Sequence, residues 1–414
     1  MQIATEPLLM RCGMLLDGMG AHQQDMAVTV VDGRITAVVP WKDRRPPDGA
    51  RLIDAGAMTV LPGLFDCHDH LATPPRDLVE RAAVPQSLFV LRVAEAMRET
   101  LQAGFTTVRD MGGLDVGMKM AVAEGLLAGP RVVISLAIIT QTAGLSDMTN
   151  AVGFNTDLLR LPGTPEAVCD GVEQIRLVTR KLIRAGADFI KIATTGGVSS
   201  RISGILTREF TFDEVRAAVD EARAFGKPVA AHAYGGEGLA NALRAGVHSV
   251  EHLGPLSDED IDTMVRQGTY LVPTLTNMDA RMELAARPGV LSAFSIQKAQ
   301  DLAPLQRDAF ARAYRAGVRI AAGTDSRPLR AGGNAREVSL LVQYGMRPMD
   351  AIRAATSVAA ECCNVPDAGR IEPGMRADVI AVNGDPLRDI EVLEKTDRVE
   401  LVMRDGAIFK NQIA

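Results

Sequence analysis

From Gly63 onward, short apolar runs alternate with Ala-, Arg- and Glu-rich stretches that have no strand-like period. The apolar runs are typical of parallel strands that are buried on both faces. Such strands need crossover connections, which the intervening helical stretches would supply. The alternation therefore predicts an α/β fold, a (β/α)8 TIM-like barrel whose strands include FTTVRD, RVVISLAI, DFIKIAT, PVAAHAY, SVEHL, YLVPTL and RIAAGTD.

The two ends of the chain have a different pattern. Residues 8–61 hold short β-like runs separated by Gly and Pro, and DVIAVNGDP and VELVMRDGAIFK near the C-terminus also resemble strands. We expect a small β-sandwich domain formed from both chain ends. The predicted boundaries are 1–61 and 367–414 for this domain and 62–366 for the barrel.

Two helical segments are predicted within the barrel. In FTFDEVRAAVDEARAFGKP, Thr211 and Glu214 have the spacing of a capping box and Gly226 follows the last turn. The stretch 281–304 is interpreted as a helical lid after the seventh strand.

Composition limits the possible partners. The 414 residues are 47% hydrophobic and 23% charged, with a formal net charge of −6, so no basic field indicates a nucleic acid or an anionic membrane. The five cysteines are scattered without CxxC spacing, which argues against a disulfide framework. No signal-like N-terminus and no apolar run of ~18 residues is present. We therefore expect a cytoplasmic protein that acts on a small molecule.

The strongest local motif is Phe65-Asp66-Cys67-His68-Asp69-His70. Residues two apart on a strand point to the same face, so His68 and His70 can reach one metal ion. Alone, this pair is modest evidence, since two such histidines can also be ordinary surface residues.

Four further residues stand at the ends of predicted strands: Lys191, His232, His252 and Asp325. In a parallel α/β barrel, the carboxyl ends of all strands open on one face, where active sites are built. We therefore expect these residues to converge with His68 and His70. Of the six histidines, His22 and His248 do not fit this pattern and are interpreted as solvent or helix-surface residues.

Lys191 and Asp325 each allow two interpretations. An ammonium on an apolar strand can belong to a buried ion pair, or the lysine can react with CO2 to form a carbamate whose oxygens bridge two cations. Asp325 can cap a following helix, or it can bind metal, take a proton from water and deliver it to a leaving amine. Beside the histidine set, we favour the metal-site interpretation for both.

These motifs resemble the amidohydrolase superfamily over nearly the whole chain. Within it, the chain is similar to the branch that holds prolidase-like carboxypeptidases, ochratoxinase-type amidases and imidazolonepropionase-like proteins. The segments that carry this similarity are TTVRDMGG, KIATTGGVSS, AAHAYGGEGL, AGVHSVEHLG and RIEPGMRADVIAVNGDPLRDI.

The resemblance implies two divalent metal ions, usually Zn²⁺. His68 and His70 would bind the buried ion, His232 and His252 the more exposed ion, and an N-carboxylated Lys191 would bridge them. Asp325 would be both ligand and proton shuttle. Tyr234 resembles a family tyrosine that polarises the scissile carbonyl or meets a substrate carboxylate, although packing at the barrel rim is an equal alternative. Relatives are commonly homo-oligomers, often octamers.

One position departs from the resemblance. Many relatives carry a Gly-His pair after the third strand, where this sequence reads Ala143-Gly144-Leu145-Ser146-Asp147. Leu145 would replace an active-site imidazole and make the pocket more apolar.

Three functions remain after these observations. The first is an amidase or carboxypeptidase for N-acyl amino acids, dipeptides or ochratoxin-like amides, with Arg109 or Arg201 binding a free carboxylate. The second is hydrolysis of a carbamate, urea, anilide or cyclic amide by the same metals. The third is a non-catalytic barrel. The sequence retains all the expected ligand positions, which argues against this alternative.

Overall fold

The computed structural model describes residues 6–75, 77–287, 289–325 and 333–413. Within these ranges the strands are β1 Leu8–Leu16, β2 His22–Val31, β3 Arg34–Pro40, β4 Arg51–Pro62, β5 Leu64–Asp69, β6 Phe105–Asp110, β7 Arg131–Ile134, β8 Ile138–Ile139, β9 Ile190–Ala193, β10 Val229–His232, β11 Ser249–Glu251, β12 Tyr270–Val272, β13 Arg319–Ile320, β14 Val379–Val382, β15 Val399–Arg404 and β16 Ala407–Asn411.

The α-helices in the same ranges are α1 Leu78–Ala83, α2 Gln86–Gln102, α3 Val116–Ala123, α4 Val172–Arg184, α5 Phe212–Ala224, α6 Gly236–Ala245, α7 Asp258–Gln267, α8 Leu275–Ala285, α9 Ala293–Ala316, α10 Arg336–Gln343, α11 Pro348–Ala354 and α12 Ser357–Cys362. Two 3₁₀ helices span Trp41–Asp43 and Ile390–Glu394.

Both chain ends contribute to one seven-stranded sheet, in the order β16-β15-β14-β4-β1-β2-β3. β4 lies at its centre and pairs in parallel with β1, which in turn runs antiparallel to β2. The C-terminal strands join through β14, which runs antiparallel to β4. The two ends therefore meet as the sequence predicts, but the described strands form a single ladder, and the β-sandwich is not confirmed.

The parallel strands β5 to β13 form a three-stranded sheet, β5-β6-β7, and a six-stranded sheet, β13-β12-β11-β10-β9-β8. Backbone hydrogen bonds connect the two sheets at both seams. The Cys67 amide donates to the carbonyl of Ala322 (2.8 Å), and the Asp188 amide donates to the carbonyl of Ile134 (2.8 Å). The helices that follow the strands make this arrangement TIM-barrel-like.

Helix α5 illustrates how local sequence defines these elements. The Thr211 and Glu214 side chains form the predicted capping box, and Gly226 adopts φ +66° just beyond the helix. Val215, Ala218 and Ala222 are fully buried on the face that packs toward the strands. Capping and apolar periodicity thus agree in this segment.

The predicted lid, 281–304, covers the end of α8 and the first half of α9, and Pro288 within it lies outside the described residues. The two helices pack on one another and on the segment that follows β9. Ser326, which follows Asp325 in the GTDS motif, also lies outside the described residues.

None of the described helices combines the length and the apolar character that crossing a membrane would require. All five cysteines are buried and unbridged.

Candidate active site

The predicted residues lie within parallel strands, at their ends or just beyond them. His68 is within β5, and His70 follows that strand directly. Lys191 belongs to β9 and is paired in register with Ala230 of β10, while His232 is the last residue of β10. His252 follows β11, and Asp325 comes five positions after the end of β13. Neighbouring strands thus bring residues from distant parts of the sequence to one end of the sheets.

Three of these side chains form a group that could hold a metal ion. Ligand atoms of His68, His70 and Asp325 all lie within 4.8 Å of one another. Nε2 of His70 is 3.6 Å from Oδ1 of Asp325. The Asp325 and Thr324 amides both donate to the carbonyl of His68 (2.6 and 3.0 Å). Gly323 permits this approach, because a Cβ at this position would lie only 2.7 Å from the backbone nitrogen of His68.

The other two predicted histidines adjoin this group. The ring centroid of His252 is 4.8 Å from that of His68 and 4.3 Å from that of His232. Nδ1 of His252 lies 2.8 Å from the Thr274 hydroxyl, so its Nε2 is left for another partner. Nε2 of His232 lies 3.1 Å from the carbonyl of Gly196.

Burial keeps these imidazoles neutral. Desolvation lowers the pKa of His68 and His252 well below the usual range, and lowers the pKa of His232 to about 3. The charge of Lys191 acts in the same direction on all three rings. Neutral imidazole is the form that binds metal ions.

Lys191 is buried, and its Nζ has no hydrogen-bond partner among the described residues. No carboxylate of the described chain lies within ion-pair distance, so the described residues give no support to a buried ion pair at Lys191. Desolvation lowers its pKa to about 8, with Glu251 opposing and Arg109 assisting this shift. An orphaned amine at this position is costly unless a further group satisfies it.

Asp325 is held by Asn277 of α8. Nδ2 of Asn277 donates to Oδ2 (2.9 Å) and to the backbone carbonyl (2.7 Å) of Asp325. Desolvation raises the pKa of the Asp325 carboxyl, while His70 and Arg281 act in the opposite direction. The side chain therefore faces Asn277 and His70. The nearest described helix after it, α10, begins only at Arg336, so the helix-cap interpretation of Asp325 has no support.

Three residues at the site have a strained backbone conformation. His252, Thr274 and Asp325 adopt positive φ angles of +78°, +50° and +46°. Non-glycine residues rarely take this left-handed conformation, and such outliers gather at functional sites. Here the strained backbone turns the His252 and Asp325 side chains toward the strand ends.

Tyr234 stacks on His252, with ring centroids 5.1 Å apart, and meets His232 edge-on at 5.2 Å. Its ring also packs in an apolar cluster with Val198, Met278 and Leu302. No hydrogen bond to its hydroxyl is present among the described residues. Burial raises the pKa of Tyr234, so the phenol remains a proton donor. Packing and a polar role are therefore compatible.

Leu145 is close to His232, with Gly197 between them. A Cβ on Gly197 would lie 2.5 Å from Cδ1 of Leu145 and 3.4 Å from Nε2 of His232. An apolar side chain thus forms this part of the wall beside the histidines.

The two arginines predicted to bind a carboxylate lie elsewhere. Arg109 is 2% exposed and donates to the Cys67 carbonyl, the Ser249 hydroxyl and Glu251. Its guanidinium is thus committed to the buried carboxylate of Glu251. Arg201 is exposed and lies 5.8 Å from the ring of Phe294. Neither position supports the predicted clamp.

Sequence reasoning missed Glu251. Oε2 of Glu251 is 2.9 Å from Nδ1 of His68, and Oε1 accepts from Arg109 (2.8 Å). A carboxylate behind a histidine fixes the tautomer and orientation of the ring. The available signal was its position directly before His252, in an apolar strand where an unpaired acid would be expensive.

Neutral buried imidazoles, a carboxylate of raised pKa and an unpartnered amine together suit metal-assisted hydrolysis. Comparison with known proteins agrees. The chain belongs to the Amidohydrolase family, whose model matches residues 59–409.

Ochratoxinase of Aspergillus niger is 32% identical over 418 residues, covering 96% of this chain and 85% of the relative. A solved Xaa-Pro dipeptidase with methionine bound in its active site is 33% identical, with a TM-score of 0.89 over 98% of this chain and 100% of the other. A prolidase complexed with N-methylphosphonate-L-proline is also 33% identical, with a TM-score of 0.87 and the same coverage. The chain is a hydrolytic enzyme that acts on carbon–nitrogen bonds, and its fold is TIM-barrel-like.

Proposed function

We propose that this enzyme uses two divalent metal ions, zinc in the first instance, to hydrolyse the amide bond of an N-acyl amino acid, a dipeptide or an ochratoxin-like amide. The single observation that carries the proposal is the unpartnered amine of Lys191, which is buried within β9 beside β10, the strand that ends at His232. His68 and His70 would bind one ion, His232 and His252 the other, with Lys191 bridging and Asp325 as a further ligand.

The donor set fits this assignment. Imidazole nitrogens and carboxylate oxygens suit zinc and also Co, Mn, Ni and Fe. When bound, the ions supply Lewis acidity that lowers the pKa of water toward ~7. Glu251 behind His68 supplies the outer contact that such sites need.

Carboxylation would give Lys191 a partner. The neutral amine attacks CO2, an N–C bond forms, a proton leaves, and two oxygens share the resulting negative charge. Only the unprotonated amine can react, and the pKa of about 8 leaves an appreciable fraction of that form at neutral pH. The product would place an anion where the structure holds an unpaired nitrogen.

Asp325 is suited to carry the proton. Its carboxylate would take a proton from the attacking water and pass it to the departing amine nitrogen, so that one group acts as base and then as acid. Asn277 fixes its orientation through two hydrogen bonds. The Tyr234 hydroxyl, which has no described partner, would donate to the scissile carbonyl or to a substrate carboxylate.

We further propose a homo-oligomer, of which an octamer is one form. Exposed apolar side chains include Val79 (77%) of α1, Leu91 (67%) of α2 and Val152 (86%). Arg81 of α1 donates to the carbonyl of Thr156 and so joins the two segments. Apolar patches of this kind mark contacts between proteins.

A substrate panel tests the proposed reaction. The zinc-loaded protein would be offered N-acyl amino acids, matched neutral anilides, carbamates and cyclic amides, with amine release as the measurement. Preference for the N-acyl amino acids would support the proposal. Preference for the neutral compounds would favour carbamate or urea hydrolysis, whereas bound metal below one equivalent without any hydrolysis would favour a non-catalytic barrel.

A further inference from the structure

Arg281 is a buried cation that the reaction described above does not use. It lies on α8 with 9% of its surface exposed, and its three recorded hydrogen bonds go to neutral acceptors. Nε donates to Oδ1 of Asn277 (2.8 Å), Nη1 to the Ser295 hydroxyl (2.9 Å) and Nη2 to the Ser199 hydroxyl (2.9 Å). Within the described part of the chain, no carboxylate lies within ion-pair distance of this guanidinium.

Its position is close to the reacting groups. The residue that accepts from Nε, Asn277, is the same one that donates to Asp325. Ser199 belongs to the segment that follows β9, the strand of Lys191. The charge of Arg281 also opposes the rise that burial causes in the pKa of Tyr234 and of Asp325. The side chain of Asn277 therefore lies between the Arg281 guanidinium and Asp325, the proposed proton shuttle.

Three other cations that the structure describes in this region already have partners. Arg109 pairs with Glu251, and Arg208 pairs with Glu237. Lys298 donates to three backbone carbonyls of the segment after β9. Among the described arginines of this region, Arg281 is the buried one whose hydrogen bonds all go to neutral acceptors, and burial of a cation without a counter-ion is expensive.

We propose that Arg281 binds the carboxylate of the substrate and thereby makes the enzyme selective for acylated amino acids that have a free carboxyl group. The guanidinium has five N–H donors, three of which are in use, and its planar fork matches a carboxylate. The adjacent cluster of Val198, Tyr234, Met278 and Leu302 offers an apolar surface for the amino-acid side chain. This inference rests on the proposed amide hydrolysis at the same site.

Support comes from the ligands of similar proteins. Methionine is bound in the solved Xaa-Pro dipeptidase, and N-methylphosphonate-L-proline in the solved prolidase. Both ligands carry a carboxylate beside an apolar group.

The test compares each N-acyl amino acid with its own C-terminal carboxamide, which differs in one charge. The ratio of kcat/KM for acid over amide is measured for the wild type, Arg281→Gln and Arg281→Lys. We expect the ratio to fall roughly 10- to 100-fold in Arg281→Gln, chiefly through KM for the acid, and less in Arg281→Lys. The matched control is Arg287→Gln, which removes an exposed charge next to the same helix and should keep the wild-type ratio.

A purely structural role would lower the activity on acid and amide equally and leave the ratio unchanged, which would overturn the proposal. If the wild type hydrolysed the acid and the amide equally well, the role of Arg281 would also be overturned, while the proposed hydrolysis would stand. A binding measurement covers the case in which no substrate is hydrolysed. Calorimetric titration with L-methionine and L-methioninamide should show weaker binding of the acid in Arg281→Gln, and equal binding by the variant and the wild type would refute the role of Arg281.

Discussion

Oε2 of Glu251 lies 2.9 Å from Nδ1 of His68, so a carboxylate at the end of one strand fixes the ring of a histidine on another. The same carboxylate accepts from Arg109, which is also buried. Glu251 therefore lies between His68, a proposed metal ligand, and Arg109, which forms no other ion pair with the described residues.

Replacement of this carboxylate should weaken metal binding. In Glu251→Gln, His68 loses a charged hydrogen-bond partner and Arg109 loses its counter-ion, so we expect metal affinity to fall roughly 10- to 100-fold and stability to fall by about 3 kcal/mol or more. Chelator competition and chemical denaturation measure the two effects. Ser249→Ala, which removes a neighbouring hydroxyl but keeps both charges, serves as the control. Wild-type metal affinity in Glu251→Gln would contradict the positioning role.

Asp325→Asn should separate catalysis from metal binding. The amide can occupy the same space and accept from Asn277, but it cannot take up a proton from water. We expect kcat to fall by roughly 10²- to 10⁴-fold, with metal content by elemental analysis close to that of the wild type. Substantial remaining activity would refute the proton-shuttle role.

Lys191→Ala should lose activity and part of the metal. The truncated side chain leaves space at the bridging position, so formate, acetate or propionate should restore part of the activity by supplying a carboxylate. Wild-type protein exposed to ¹³C-labelled bicarbonate should show a carbamate signal by NMR that the variant lacks. Lys181→Ala, which changes an exposed lysine of α4, is the matched control. Full activity and metal content in Lys191→Ala would argue against a bridge.

Glu209 should make stability depend on pH. Its side chain is fully buried, Oε2 accepts from Thr140 (3.1 Å), and Oε1 has no partner among the described residues. Desolvation raises the pKa of Glu209 to about 7. The folded protein thus retains a proton that the unfolded chain releases, so the stabilisation is complete below pH ~4.5 and is lost as the pH rises through about 7.

Glu209→Gln should therefore flatten the decline of unfolding free energy between pH 5 and 8, by at most about 3 kcal/mol over the window. Denaturation at several pH values measures the slope. Glu124→Gln removes an exposed carboxyl and should leave the slope unchanged. A variant that retains the wild-type slope would show that Glu209 is already ionised in the folded state.

The sequence was most informative where chemistry follows local periodicity. The two-residue spacing of His68 and His70 and the strand-end positions of Lys191, His232, His252 and Asp325 are visible in one dimension, and the structure brings these side chains close together. The capping box of α5 is equally local.

The contacts around the proposed ligands could not be predicted from local sequence. Arg109 was predicted to bind a substrate carboxylate, yet β11, a strand of the other sheet, places Glu251 against it. The roles of Asn277 and Arg281 likewise depend on how α8 lies over the strand ends. The β-sandwich was not confirmed because short β-like runs do not specify whether strands join one ladder or two.

The contacts between β5 and the segment after β13 join parts of the chain that are synthesised at very different times. The Thr324 amide donates to Asp66 (3.0 Å) across 258 positions of sequence, beside the backbone contacts between Thr324, Asp325 and His68. A chain that emerges from the ribosome N-terminus first has His68 and His70 exposed long before Asp325 exists. The complete ligand set can therefore assemble only when most of the polypeptide has been made, so metal capture should be a late step in maturation rather than a nucleus for folding.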